Sequence, residues 1–206
     1  MGLGWLVTTP NMLYKYGKRK MLEKLFTSKN RIKILNFLLF DKEISYVREI
    51  SSKLKIPVSA VKREIDNLKN LELIKEEGRG LFFNKKNIIA EDLENIFIKT
   101  EGIIYPIKDS LRNINANFII VFGSFAKGNF KLDSDVDLLV VGEVRQQEVM
   151  SLIKNAEIRI KKEVNPIVWS LSEIEKNKDK AIIKDILKNK KIFIRGDENE
   201  FRKIAG

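Results

Sequence analysis

Asp135 and Asp137 stand two residues apart, and ten residues separate them from a Gly-Ser pair, Gly123-Ser124. The Gly-Ser pair ends an apolar run, Asn117-Phe118-Ile119-Ile120-Val121-Phe122, and the carboxylates open another, Leu138-Leu139-Val140-Val141. Short apolar runs rich in β-branched residues read as buried strands. Strand residues two apart point to the same side, so Asp135 and Asp137 place two carboxylates on one face of a strand that is otherwise core. Paired carboxylates repel each other and are costly to desolvate, and a divalent cation removes that penalty. Two carboxylate ligands plus substrate phosphates are what Mg²⁺ usually takes from a protein. Gly123 permits close backbone approach at the strand end, and Ser124 adds a hydroxyl donor. If Ser124 to Lys127 open a helix, their free N–H groups face an anion and Lys127 adds positive charge. A lone Gly-Ser says nothing, and a lone Asp-x-Asp is commonly a turn. The order strand, Gly-Ser, ten residues, Asp-x-Asp, strand is much more specific.

These residues, Gly123-Ser124-Phe125-Ala126-Lys127-Gly128 with Ser134-Asp135-Val136-Asp137-Leu138-Leu139-Val140, resemble the signature of the DNA polymerase beta-like nucleotidyltransferases, especially the minimal ones of bacteria and archaea. The resemblance covers roughly residues 114–193. It implies a small mixed-sheet domain that moves a nucleoside monophosphate from an NTP to an acceptor with two Mg²⁺ ions. Asp135 and Asp137 would hold metal, while Gly123, Ser124 and Lys127 would bind the phosphates. It also implies a third carboxylate on the next strand, Glu163-Val164-Asn165-Pro166-Ile167-Val168, where the matching residue is Asn165. An amide can coordinate through its carbonyl but has no charge and is no base. Glu163 lies two residues away on the same face and could substitute as the catalytic acid, though strand geometry places it roughly 6–7 Å off. Nucleotide binding is therefore expected more firmly than turnover. Resemblance to antitoxin-type adenylyltransferases implies a protein hydroxyl as acceptor; a small molecule or an RNA end stays open.

The elements that must position this site occupy only the later part of 206 residues. Hydrophobic content of 44% is that of a globular chain. The absence of Cys and His excludes disulfides, thiol nucleophiles, imidazole bases and conventional zinc sites, and suggests a cytoplasmic protein. The net charge of +11 is uneven: residues 1–90 hold 19 Lys and Arg against 9 Asp and Glu. A basic front half suggests a polyanionic partner.

Residues 1–24 read as an N-terminal tail, loosely attached or packed as an arm; the apolar run near its start is too short to span a bilayer. Over residues 25–87, Thr27 or Ser28 can cap a helix carrying Ile32, Leu35, Leu38 and Leu39. Ser45 can cap a second with Val47, Ile50 and Leu54 inward, and Ser59 a third with Val61, Ile65 and Leu68 inward. Two short strands flank Gly78-Arg79-Gly80 as a hairpin. This order resembles a winged helix-turn-helix domain, giving an α+β chain overall. The resemblance implies double-stranded DNA as partner, with Ser59, Ala60, Lys62 and Arg63 in the major groove and Arg79 at the wing tip. The same surface could instead serve protein contact.

Residues 88–113 read as one helix or two, broken near Gly102 and Pro106, with apolar residues on more than one side. Such a segment packs within its own chain or against a copy in a homodimer. Residues 114–206 complete the transferase domain: a helix from about Arg145 to Lys161, a short helix capped by Ser172, another from Ala181 to Leu187, and a strand at Ile192–Ile194. Met150, Phe97 and the tryptophans are expected in core or interface.

Overall fold

The computed structural model describes residues 22–206. The expectations for residues 1–20, and for Met21 as the start of an amphipathic helix, lie outside them. A one-turn helix, α1 (Leu22–Leu25), begins inside the expected tail and buries Leu22 completely. It leads to α2 (Lys29–Asn36), which runs on through a wider turn at Phe37–Asp41. Ser28 caps α2, accepting from the Arg31 N–H at 3.2 Å. Next come α3 (Val47–Leu54), α4 (Val58–Asn70) and an antiparallel hairpin, β1 (Ile74–Glu77) with β2 (Gly80–Phe83).

Two expected caps of the front half move. Ser45 lies outside the helix: its backbone bridges Leu81 of the hairpin, and its hydroxyl donates to Glu49 at 2.9 Å. Ser59 is inside α4, which starts directly from Pro57; that residue's fixed φ already suits the entry to a helix. The expected inward residues Ile50, Val61, Ile65 and Leu68 are buried. A charged lock ties α4 to α2: Glu64, 3% exposed, accepts from the Ser28 hydroxyl at 2.7 Å and from Arg31 Nε at 3.0 Å.

The connecting segment is two helices, α5 (Ala90–Phe97), continued to Gly102, and α6 (Ile104–Ser110). The break falls at Thr100–Ile103, and Pro106 sits harmlessly in the first turn of α6. Leu93, Phe97, Ile103, Ile107 and Leu111 are buried by the chain itself, whereas Ile88 and Ile96 are exposed.

The rear half is a mixed four-stranded sheet in the order β5-β4-β3-β6: β3 (Phe118–Phe122), β4 (Val136–Val141), β5 (Val164–Trp169) and β6 (Ile192–Arg195). β4 runs antiparallel to β3 and parallel to β5, and β6 is antiparallel to β3. Helices cover both faces, so apart from Asp137 the central strands are apolar at every position rather than alternating. Ile119, Val121, Leu138 and Val140 face α8 (Gln146–Ile160) and share one continuous core with the front half. Phe118, Ile120, Phe122, Leu139 and Val141 face α10 (Ala181–Lys188) and α11 (Glu198–Ala205), with α9 (Leu171–Lys176) beside them.

Ser170, not Ser172, caps α9, in a reciprocal box with Glu173. Met150, expected in core or interface, is about half-exposed on α8. Among the described residues, no helix is long and apolar enough to cross a membrane.

Candidate active site

The site forms where three strand ends meet. Register places Phe122 opposite Asp137, and Asp137 opposite Asn165, so β3, β4 and β5 present these residues side by side. Alternation puts Asp137 and Asn165 on the face that carries Leu139, Val141, Ile167 and Trp169, the face covered by α10. Asp135, just before β4, is bonded across this edge: Asn165 Nδ2 donates to its Oδ2 at 3.2 Å. Glu163 precedes β5 with an exposed side chain, and its backbone carbonyl accepts from the Val136 N–H at 2.9 Å. Asn165 therefore bonds Asp135 directly and stands beside Asp137 in the sheet, while Glu163 is tied there only by its backbone.

Gly123 turns the chain from β3 into a one-turn helix, α7 (Gly123–Lys127), at φ +69°. A Cβ at Gly123 would stand 3.0 Å from Asp137 Cγ and closer still to its Oδ2. Gly123 and the second aspartate of the motif are thus in direct apposition, and Ser124, half-buried, follows it. Phe125 and Ala126 anchor α7 in the core, and Gly128 ends it in the left-handed region.

The segment from Gly128 to Asp135 is held on its inner side by aromatic packing. Phe130 stacks on Phe125 with centroids 4.6 Å apart and on Phe40, from the front half, at 5.6 Å. Lys85 lies over the Phe130 ring at 5.8 Å. Beneath the segment Lys162, 8% exposed, donates to the Leu132 carbonyl and lies 5.8 Å from the Phe125 ring centroid. Burial depresses the pKa of the Lys162 ammonium, against the opposing charges of Asp41, Asp133 and Asp135.

The electrostatics fit a cation site. Burial pushes the Asp137 carboxyl above its ordinary range; Asp135 and then Asp185 push it further, and Lys127 draws it back. Among the described residues no group of three or more acidic side chains is arranged to hold a metal ion alone. Two crowded carboxylates in that state suit a hard divalent cation whose remaining ligands come from phosphate and water. Lys127 is engaged within the protein: its Nζ lies 3.2 Å from both oxygens of Asp185 on α10. Sequence reasoning missed Asp185, which lies 58 residues from Lys127 with no motif around it. It also missed Lys162, whose burial no local pattern signals.

The expected DNA-facing residues sit on the front half. Ser59, Lys62 and Arg63 are exposed on α4, and Arg79 at the hairpin turn. Lys62, Arg63 and Arg79 are in no ion pair among the described residues. Ala60 turns partly inward and packs against the core.

Comparison with known proteins bears on the rear half. The family model described as "Nucleotidyltransferase domain" matches residues 106–193. A protein of Methanocaldococcus jannaschii, provisionally named a protein adenylyltransferase, is 30% identical over 75 residues, which are 36% of this chain and 75% of that protein. Among solved structures, a toxin–antitoxin complex with AMP-PNP aligns over 50% of this chain and 80% of that one, at 16% identity and a TM-score of 0.39. A complex of the tri-AMPylated Shewanella oneidensis HEPN toxin with the MNT antitoxin aligns over 56% and 80%, at 13% identity and a TM-score of 0.35.

Proposed function

The chain belongs to the nucleotidyltransferase family, and from that footing we propose that it transfers adenylate from ATP to a hydroxyl group of a protein. The observation that carries the reading is the apposition of Asp137 to Gly123, with Asn165 bonded to Asp135 beside them. The name of the Methanocaldococcus relative supports adenylate and a protein acceptor.

In this reaction the acceptor oxygen forms a bond to the α-phosphorus of ATP, the bond to the bridging oxygen breaks, and pyrophosphate leaves. Asp135 and Asp137 would hold Mg²⁺, which supplies charge stabilisation at the phosphates when bound. Gly123 lets the nucleotide phosphates approach the backbone beside Asp137, and Ser124 and Lys127 offer donors to them. The acceptor proton goes to water, because Asn165, in the place where these transferases carry an acid, cannot take it. This chemistry predicts slow transfer without loss of nucleotide binding.

The test is incubation of the full chain with cell extract, Mg²⁺ and each of the four NTPs labelled at the α-phosphate. Label from ATP should appear on protein and vanish with the Asp135→Ala, Asp137→Ala double variant. Absence of label from every NTP overturns the enzyme reading.

A second reading is favoured by the exposed cations on α4 and the hairpin: the front half binds double-stranded DNA as a winged helix-turn-helix unit, and the rear half senses nucleotide. Lys62, Arg63 and Arg79, with Ser59 beside them, would meet the duplex. Binding should then weaken steeply with salt as counterions are released. Arg63→Ala and Arg79→Ala should each cost about 1–3 kcal/mol where they touch bases. Duplex binding that is absent at low salt rules this reading out.

A further inference from the structure

The ammonium of the motif helix is already paired with a carboxylate of the same chain. Lys127 ends α7 and reaches across the site mouth to α10, where both oxygens of Asp185 lie 3.2 Å from its Nζ. Asp185 is held in turn, since Asn189 Nδ2 donates to its Oδ1 at 2.6 Å. The side chains of Lys127 and Asp185 are 32% and 44% exposed, so solvent screens the pair and it exchanges readily. Both charges reach Asp137, Asp185 as a repulsion and Lys127 as an attraction. The Gly-Ser and Asp-x-Asp pattern accounts for Lys127 and gives no role to Asp185.

We propose that Asp185 is a positioning residue that competes with the nucleotide's phosphate chain for Lys127, so that ATP binds by exchanging one anion for another at this ammonium. The inference rests on the nucleotidyltransferase reading. A lysine suits such an exchange, being a point charge with three donors on a flexible stem. Asn189 keeps Asp185 in place while Lys127 turns away. The device sets a threshold for charge: a triphosphate displaces Asp185 more readily than a monophosphate. It also favours release of pyrophosphate, because Asp185 recaptures Lys127 as the anion leaves.

Calorimetric titration of the full chain tests this, with the Mg²⁺ complex of AMP-PNP and with AMP as probes. The proteins are the parent, Asp185→Asn, Lys127→Met and the double variant, each first checked by thermal melting. Asp185→Asn should bind AMP-PNP about three- to five-fold tighter, the size of a partly exposed ion pair. The same change in the Lys127→Met background should give less than about a twofold gain, and AMP affinity should stay unchanged. Asp185→Ser carries the same expectations if the asparagine variant fails to fold. Weaker or unchanged AMP-PNP binding in Asp185→Asn overturns the proposal, as does an equal gain without Lys127, which would mark a general charge effect. A parent that binds no AMP-PNP overturns the nucleotide reading and this inference together, whereas a binding parent with an indifferent Asp185→Asn overturns this inference alone.

Discussion

Two glycines flank α7 with nearly the same backbone angle and opposite surroundings, and together they separate strain from site geometry. Gly123 has φ +69° and Gly128 φ +78°. Alanine at either must adopt the left-handed region, at a cost of about 1–2 kcal/mol. Around Gly128 nothing lies within 4 Å of an added Cβ, so Gly128→Ala carries the strain and nothing else. At Gly123 the added Cβ would overlap the Asp137 carboxylate, with Cγ at 3.0 Å and Oδ2 nearer. Ordinary contact begins at about 3.4–4 Å, so the carboxylate must swing away by an ångström or more. A short side chain at a strand end can rotate, so the clash is relieved at the expense of the site rather than of the fold. Both variants should lose stability by the same ~1–2 kcal/mol, which for a chain of this size lowers the melting temperature by roughly 2–8 °C. Only Gly123→Ala should lose Mg²⁺-dependent AMP-PNP binding, by at least about tenfold, since Asp137 no longer shares a ligand with Asp135. Thermal melts and titration calorimetry on the two variants make the comparison. Parent-like AMP-PNP affinity in Gly123→Ala would show that the Asp137 position seen here is not the one that binds, and the site assignment would fail.

Asp137→Asn should stabilise the protein near neutral pH. A carboxyl raised in the folded state by burial, Asp135 and Asp185 makes the native state less stable as pH climbs through its raised value. The gain should therefore shrink on acidification and vanish below the ordinary value of 3.8; a gain constant with pH in melting curves refutes the cause given. Asn165→Asp exchanges a donor to Asp135 for a third carboxylate at 3.2 Å. AMP-PNP affinity at saturating Mg²⁺ should change little, the Mg²⁺ requirement should steepen, and adenylate transfer should rise by ~10²–10⁴-fold if an acid there helps deprotonate the acceptor. An unchanged transfer rate removes Asn165 from the chemistry.

The parts of the site legible in the sequence are those within one continuous pattern. The two strands around Gly123-Ser124 and Asp135-x-Asp137 stand where their apolar runs ended, and Asn165 falls opposite Asp137 because β5 is a parallel neighbour in register. What escaped depends on pairings between distant segments. Asp185 meets Lys127 only because α10 folds back over the face of β4. Ser45 has the residue type of a cap, yet the hairpin claims its backbone, and tertiary pairing overrides the local preference. Helix α11 did carry a local signal: Asp197 accepts from the N–H groups of Asn199 and Glu200, and Phe201 and Ala205 follow on one face.

Phe130 stacks both on Phe125 of the motif helix and on Phe40 of the front half. Gly102 lies so close under Phe40 that a Cβ there would stand 2.9 Å from its ring. One side of the packing beneath the segment from Gly128 to Asp135, Phe40 on Gly102, therefore comes from residues that the family match, starting at residue 106, does not contain. The line where a sequence family begins and the line where this protein could be cut are different lines. A fragment trimmed to the former would carry every motif residue and leave one side of Phe130 bare to water. By the same masonry, any force on the turn that carries Phe40 is felt, one ring further on, by the segment that delivers Asp135.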